Sequence, residues 1–251
     1  MKNMKNSLIT LLENIENHIN ESNIDSNPFP HILLNTSIED SIIDGLTTMA
    51  GKPVDVSLGT VGRIELPFHS LDRDTFNAID KIGHLLVEKL NVKLPKLNSN
   101  LRYMSLIPHI GMWLDSSELN ISDIHLDFFK REFDKWIIHE ITEDTQTVIS
   151  MHIYLPDDDT HSNLGTSLYS VPDSVPKVLP DMPIKIPTQI PSHMEKSCIK
   201  VKQIPFIRGN VFIHVSGKDT WHQAPMVPEG YVRKSLMIRW EYNTLDLDLK
   251  G

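Results

Sequence analysis

Residues 209–242 read GNVFIHVSGKDTWHQAPMVPEGYVRKSLMIRWEY. Two runs rich in Val, Ile, Phe and Tyr, GNVFIHV and YVRKSLMIRWEY, flank a stretch broken by Gly217, Pro225 and Pro228-Glu229-Gly230. Such runs bounded by turn residues predict two strands. The connection between them carries Trp221 and His222. The same texture extends back to residue 101, in LRYMSLIP (101–108), SDIHLDFF (122–129), QTVISMHIYLP (146–156) and GTSLYSV (165–171). Many short strands with few helices between them predict a mostly β architecture, as a sandwich, jelly roll or barrel.

The first hundred residues differ in texture. Leu8, Leu11, Leu12, Ile15 and Ile19 recur at helical spacing, and Phe76–Leu90 repeats the pattern through Ile79, Ile82, Leu85, Leu86 and Leu90. Between these, PFPHILLN (28–35) reads as a strand, followed by a helix through Ile42, Ile43 and Leu46. The expectation is one domain over residues 1–251, with an α-rich supporting part at 1–100 and a β core at 101–245. Seven prolines fall between Pro156 and Pro191, and residues from about Pro172 to Lys196 read as a long irregular loop. Long loops in compact domains are uncommon and are often lids, so this insertion is expected to close over a bound substrate.

Composition narrows the partners. A formal net charge of −9 argues against nucleic acid, which needs a basic footprint, and lends no support to binding an anionic membrane. Cys198 is the only cysteine, which excludes an intrachain disulfide and a four-thiolate metal site. Twelve histidines can supply metal ligands without sulfur. The N-terminus lacks an apolar leader core, and no run of about 18 apolar residues occurs, so a cytoplasmic location is expected.

His125-Leu126-Asp127 places an imidazole and a carboxylate two residues apart on a predicted strand. Residues so spaced share a face, about 7 Å apart along the chain, and can converge on one ion. The pattern alone is weak, because chance supplies a match or two from twelve histidines and 33 acidic residues. The other match, His193-Met194-Glu195, sits in the proline-rich loop and reads as solvated. His222 is the best third ligand. Two imidazoles and a carboxylate form the facial triad of non-haem iron(II) oxygenases, which leaves positions for a cosubstrate and dioxygen. Arg233 and Ser235 share a face of the following strand. A guanidinium fork and a hydroxyl suit the distal carboxylate of 2-oxoglutarate.

Together, His125-x-Asp127, His222 and Arg233-x-Ser235 resemble the motif set of the Fe(II)/2-oxoglutarate-dependent oxygenase superfamily, in particular its prolyl-hydroxylase-like branch. PFPHILLN, SMHIYLPDD and LGTSLY are similar to strands of that family. The resemblance implies a double-stranded β-helix with helices outside it, and a site that binds Fe(II), 2-oxoglutarate and dioxygen. It implies oxidative decarboxylation of 2-oxoglutarate coupled to hydroxylation of a substrate C–H bond. The long interval between Asp127 and His222 departs from the pattern, so substrate identity does not carry over. A small molecule such as an amino acid or biosynthetic intermediate is expected, with a peptidyl or protein hydroxylase as the alternative.

Other residues compete for attention. His214 is the rival distal ligand, but it lies too far before Arg233 and reads as a core or strand-end histidine. His152 reads as a core imidazole, and Trp221 as a residue on the opposite face that packs in the sandwich. His109, His139 and His161 read as structural or exposed. Rival functions are a non-catalytic jelly-roll module that binds sugar and a zinc hydrolase using the same three ligands.

Overall fold

The computed structural model describes residues 2–44, 62–66, 72–92, 106–116, 125–126, 145–175, 188–189, 192–215, 220–225, 227–228 and 231–243. Two helices stand out. Helix α1 spans Lys2–Glu21 and α2 spans Arg73–Lys89. The apolar positions legible in the sequence are the buried ones: Leu8, Leu11, Leu12, Ile15 and Ile19 on α1, and Ile79, Ile82 and Leu86 on α2. Asp72 caps α2, its carboxylate accepting from the Asp74 and Thr75 amides at 3.0 and 3.1 Å. Lys81 pairs with Glu16 at 2.8 Å, and the Lys89 ammonium donates to the Ile19 and Asn20 carbonyls at the end of α1. Among the described residues no helix is long and apolar enough to cross a membrane.

The described residues hold eleven strands, in chain order β1 (His31–Asn35), β2 (Gly62–Leu66), β3 (Leu106–Ser116), β4 (His125–Leu126), β5 (Thr145–Tyr154), β6 (Ser167–Ser170), β7 (Thr188–Gln189), β8 (Ile199–Gln203), β9 (Asn210–Val215), β10 (His222–Gln223) and β11 (Val232–Asn243). They form two antiparallel sheets, a six-stranded one ordered β1-β9-β5-β11-β3-β2 and a five-stranded one ordered β7-β4-β10-β6-β8. From β3 onward, successive strands pass mostly from one sheet to the other. The edge strands of the larger sheet, β1 and β2, come from the first hundred residues, so that part builds sheet as well as helix.

Side-chain alternation sorts the larger sheet into two faces. Ile32, Leu34, Met151, Ile153, Val211, Ile213, Leu236, Ile238 and Trp240 form one core with α1 and α2. The Trp240 indole donates to the Ile79 carbonyl at 3.1 Å, and a Cβ on Gly83 would sit 2.4 Å from that indole. Gly83 therefore lets α2 lie directly on the sheet. On the other face, Tyr154 and Phe212 pack with Phe29, Leu164, Leu168, Ile204 and Phe206 in a second core that joins the two sheets. Gly209, just before β9, has φ +83°, and a Cβ there would meet the Thr36 carbonyl oxygen at 2.0 Å, so only glycine closes that turn.

Several expectations are amended. Strand β3 runs over 106–116, further along than the predicted 101–108, and residues 101–105 lie outside the described residues. GRIEL (62–66) and IKVKQ (199–203) are strands absent from the predicted set. The alternation of apolar and charged residues in IKVKQ is the signal that could have found it. The segment expected as irregular from Pro172 to Lys196 supplies β7, paired to β4, and a 3-10 turn at Ser192–Ser197. Residues 176–187 of that segment lie outside the described residues. Trp221 does not pack between the sheets. It forms a small cluster with Val175, bordered by Tyr169, Val171, Met194 and Cys198, because it faces away from Leu168 and the inter-sheet core.

Candidate functional site

His222 sits in the middle strand of the smaller sheet, directly opposite His125 on β4 and Leu168 on β6. Two of the three expected ligands therefore occupy opposed positions of one ladder, although 97 residues separate them in the chain (222 − 125). Asp127 lies outside the described residues. Among the described residues, no group of three His, Cys, Asp or Glu is close enough to hold a metal ion. His222 is 5% exposed, and its Nδ1 lies 2.9 Å from the Thr220 carbonyl oxygen. A carbonyl only accepts, so this contact assigns a proton to Nδ1, the tautomer in which Nε2 is the basic nitrogen of a neutral imidazole. Metal-binding imidazoles are commonly oriented by such a second contact.

The larger sheet presents the remaining candidates on its inner face. Ser235 is buried and lies opposite Tyr154 of β5 and Trp113 of β3. Arg233, one step further on the same face, donates from Nη1 to the Leu164 carbonyl at 3.2 Å. Tyr154 completes this end. Its hydroxyl is 2.7 Å from Thr166 Oγ1 and accepts from the Thr166 amide at 3.0 Å. Burial raises the Tyr154 pKa, against the Thr166 hydrogen bonds and the Arg233 charge, so the phenol stays protonated and can donate. Sequence reasoning missed Tyr154 and Thr166. The available signal was the alternation that places Tyr154 on the same face as His152.

Beside His222 the inner face is rich in imidazole. The His214 ring lies 4.8 Å from the His222 ring, and His152 stacks on His214 at 5.8 Å. Phe212 stacks on His214 at 5.1 Å. His214 is a fully buried strand residue, as expected from the sequence, and it abuts the candidate ligand. His161 is half-buried and packs against Tyr231 at 4.3 Å.

No protein-family model matches the sequence, and a search of curated proteins found no relative by sequence. Solved structures do match. EvdO2 from Micromonospora carbonacea var. aurantiaca aligns with a TM-score of 0.50 at 13% identity, over 85% of this chain and 86% of that one. The viral collagen prolyl hydroxylase of Paramecium Bursaria Chlorella virus-1 aligns at 0.47 and 10% identity, over 85% and 89%. A Trichoplax adhaerens prolyl hydroxylase, in complex with a hypoxia-inducible-factor peptide fragment, aligns at 0.43 and 11% identity, over 97% and 94%. The chain is thus similar in fold to EvdO2, across most of both chains.

Proposed function

We propose that this chain is an Fe(II)- and 2-oxoglutarate-dependent oxygenase of the prolyl-hydroxylase-like branch, which hydroxylates a C–H bond of a small molecule. The single observation that carries this reading is the ladder position of His222. It lies opposite His125, and its Nδ1 is hydrogen-bonded to the Thr220 carbonyl, with Nε2 taken in this proposal as the atom that binds the metal. Asp127, two residues on from His125, is the third ligand in this proposal. The order of the strands supports it. Taking β3 to β6 and β8 to β11 as eight successive strands, the sheets interleave as the first, eighth, third and sixth against the second, seventh, fourth and fifth. That interleaving is consistent with a jelly roll and supports the double-stranded β-helix expected of this family.

The donor set fits Fe(II), because two imidazoles and one carboxylate leave open positions for the keto acid and dioxygen. When bound, iron supplies the oxidative decarboxylation of 2-oxoglutarate and the hydrogen abstraction that hydroxylation requires. The residues of the chain hold and orient the reactants. Arg233 binds the distal carboxylate of 2-oxoglutarate, its fork aimed by the Leu164 carbonyl, while Ser235 and the protonated Tyr154 stand opposite each other one step along the same face.

The test combines binding and turnover. The protein with Fe(II) should convert 2-oxoglutarate to succinate only when oxygen is present. Arg233→Lys keeps the charge and loses the fork, so 2-oxoglutarate affinity by calorimetry should fall by roughly 10- to 150-fold, the equivalent of one charge-assisted contact. Failure of His222→Ala to weaken metal binding, or an unchanged 2-oxoglutarate affinity in Arg233→Lys, would remove the assignment.

A further inference from the structure

The two sheets meet at a seam, and one layer of side chains runs from that seam to the candidate ligand. Among the described residues, β1 is the edge strand of the larger sheet and β8 that of the smaller one. On the smaller sheet, register sets His222 opposite Leu168 and Leu168 opposite Lys202. On the larger sheet it sets His214 opposite His31. These two rows face each other. The His214 ring lies 4.8 Å from the His222 ring, and Lys202 Nζ lies 3.1 Å from His31 Nε2. The layer that carries His222 therefore ends at the seam in a lysine and a histidine.

Three groups hold the seam together. Lys202 donates to Asp25 Oδ2 at 2.7 Å as well as to His31 Nε2. His31 Nδ1 donates to the Phe29 carbonyl at 2.8 Å, so the ring can accept from Lys202 only while Nε2 carries no proton. Asp25 Oδ2 also stands 3.6 Å from His31 Nε2. Its place there does not depend on the lysine, because the Asp25 and His31 backbones exchange two hydrogen bonds, at 2.9 and 2.8 Å. The carboxylate belongs to the β1 side of the seam and the ammonium to the β8 side.

A proton on Nε2 rearranges these partners. The nitrogen then donates instead of accepting, and two cations so close repel each other. Asp25 is the carboxylate within reach of the imidazolium. Lys202 is partly exposed and can carry its charge into water. Burial is the main reason that the His31 pKa lies below 6.5; Lys202 adds to the effect, while the Phe29 contact and Asp25 oppose it. The hydrogen bond from Lys202 chiefly holds the Asp25 carboxyl below its usual range, so Asp25 is ionised when His31 titrates. The bonded arrangement thus belongs to neutral pH and is lost as pH falls below 6.5 toward the lowered value. Phe29 and Phe212 also pack against the His31 ring and do not titrate. His214, its register neighbour, is the further titratable group that faces it among the described residues. A charge on His214 would disfavour a proton on His31.

We propose that His31, Lys202 and Asp25 form a pH-operated latch between β1 and β8. Lys202 closes it at neutral pH, and acid opens it by transferring Asp25 from Lys202 to protonated His31. Opening frees the edge of the sheet that carries His125 and His222 while the helix-side core stays packed. The latch stands whether or not the metal site is that of an oxygenase.

Amide hydrogen exchange of the whole chain, corrected for intrinsic rates and stepped from about pH 7.5 to about pH 4.5, reads the latch directly. Strand β8 reports the seam, and residues 8–19 of α1 report global stability. In wild type, protection of β8 should fall roughly tenfold more than that of α1 as His31 titrates. His31→Gln keeps an acceptor for Lys202 but no titrating proton, so in that variant the two segments should fall together. Lys202→Met removes the closing group. Its β8 should be roughly tenfold less protected than wild type already at neutral pH, with no further fall relative to α1. This variant alters a partly exposed side chain and serves if His31→Gln does not fold. Wild-type β8 protection that tracks α1 at every pH overturns the latch. So does an excess fall that persists in His31→Gln, or a Lys202→Met protein whose β8 behaves as in wild type.

Discussion

Replacing Tyr154 by Phe tests whether the end of the inner face near Arg233 is organised as described. The substitution keeps the ring in its core, where Tyr154 is 3% exposed and packs with Phe206 at 5.2 Å. It removes one oxygen. That oxygen lies 2.7 Å from Thr166 Oγ1 and accepts from the Thr166 amide at 3.0 Å. Thr166 is 8% exposed, so both groups lose a partner where water does not readily replace it. An orphaned buried donor or acceptor costs about 1–3 kcal/mol, and the backbone amide has no alternative rotamer. Allowing the threonine hydroxyl to turn elsewhere, Tyr154→Phe should destabilise the fold by about 2–4 kcal/mol. Adding Thr166→Val to Tyr154→Phe removes one of the two orphans, so the double variant should lose less than the sum of the singles. A coupling of about 1 kcal/mol is expected for one restored match. Urea denaturation of the four proteins gives the cycle. A loss below about 0.5 kcal/mol in Tyr154→Phe, or strict additivity in the cycle, would refute the hydrogen-bonded pair and the donor role given to Tyr154.

Two further outcomes follow from the packing and charge. Gly83→Ala should cost about 1–3 kcal/mol, because the added Cβ would stand 2.4 Å from the Trp240 indole and must push α2 off the sheet; an unchanged denaturation midpoint would show that α2 does not lie so close. His31 is buried and neutral, with Nδ1 donating to the Phe29 carbonyl at 2.8 Å and Nε2 accepting from the Lys202 ammonium at 3.1 Å. Burial holds its pKa below the ordinary 6.5, the Phe29 contact opposes this, Lys202 adds to it, and Asp25 opposes it. His214 is its register neighbour on β9 and faces the same side. The unfolded chain thus binds the proton more tightly than the folded one. Stability from this residue is complete above pH 6.5 and is lost as pH falls from there toward the lowered value. His31→Gln should therefore flatten the fall in stability between about pH 7 and 5, measured by denaturation at several pH values, and an identical slope in both proteins would contradict the neutral assignment.

Local periodicity determined a good part of this protein. The spacing of Leu8 to Ile19 and of Ile79 to Leu86 placed both helices and their buried stripes, because a 3.6-residue repeat needs no partner to be read. Alternation located β5, β6, β9 and β11 for the same reason. The motif residues His125, His222, Arg233 and Ser235 were legible as residue types at a spacing. Legibility failed where structure depends on distant chain. GRIEL and IKVKQ are short, and each becomes a strand by pairing, GRIEL with β3 and IKVKQ with β6. TQ at 188–189 joins the smaller sheet only because β4 offers it an edge. The opposition of His125 to His222 was decided by tertiary structure alone, since a ladder can join residues at any separation and no local pattern encodes which strand lies beside which. The same holds for the inner face of the larger sheet. Alternation says that Ser235 and Arg239 share a face, but cross-strand register, set by the packing of the whole sheet, decides that one lies opposite Tyr154 and the other opposite Ser150.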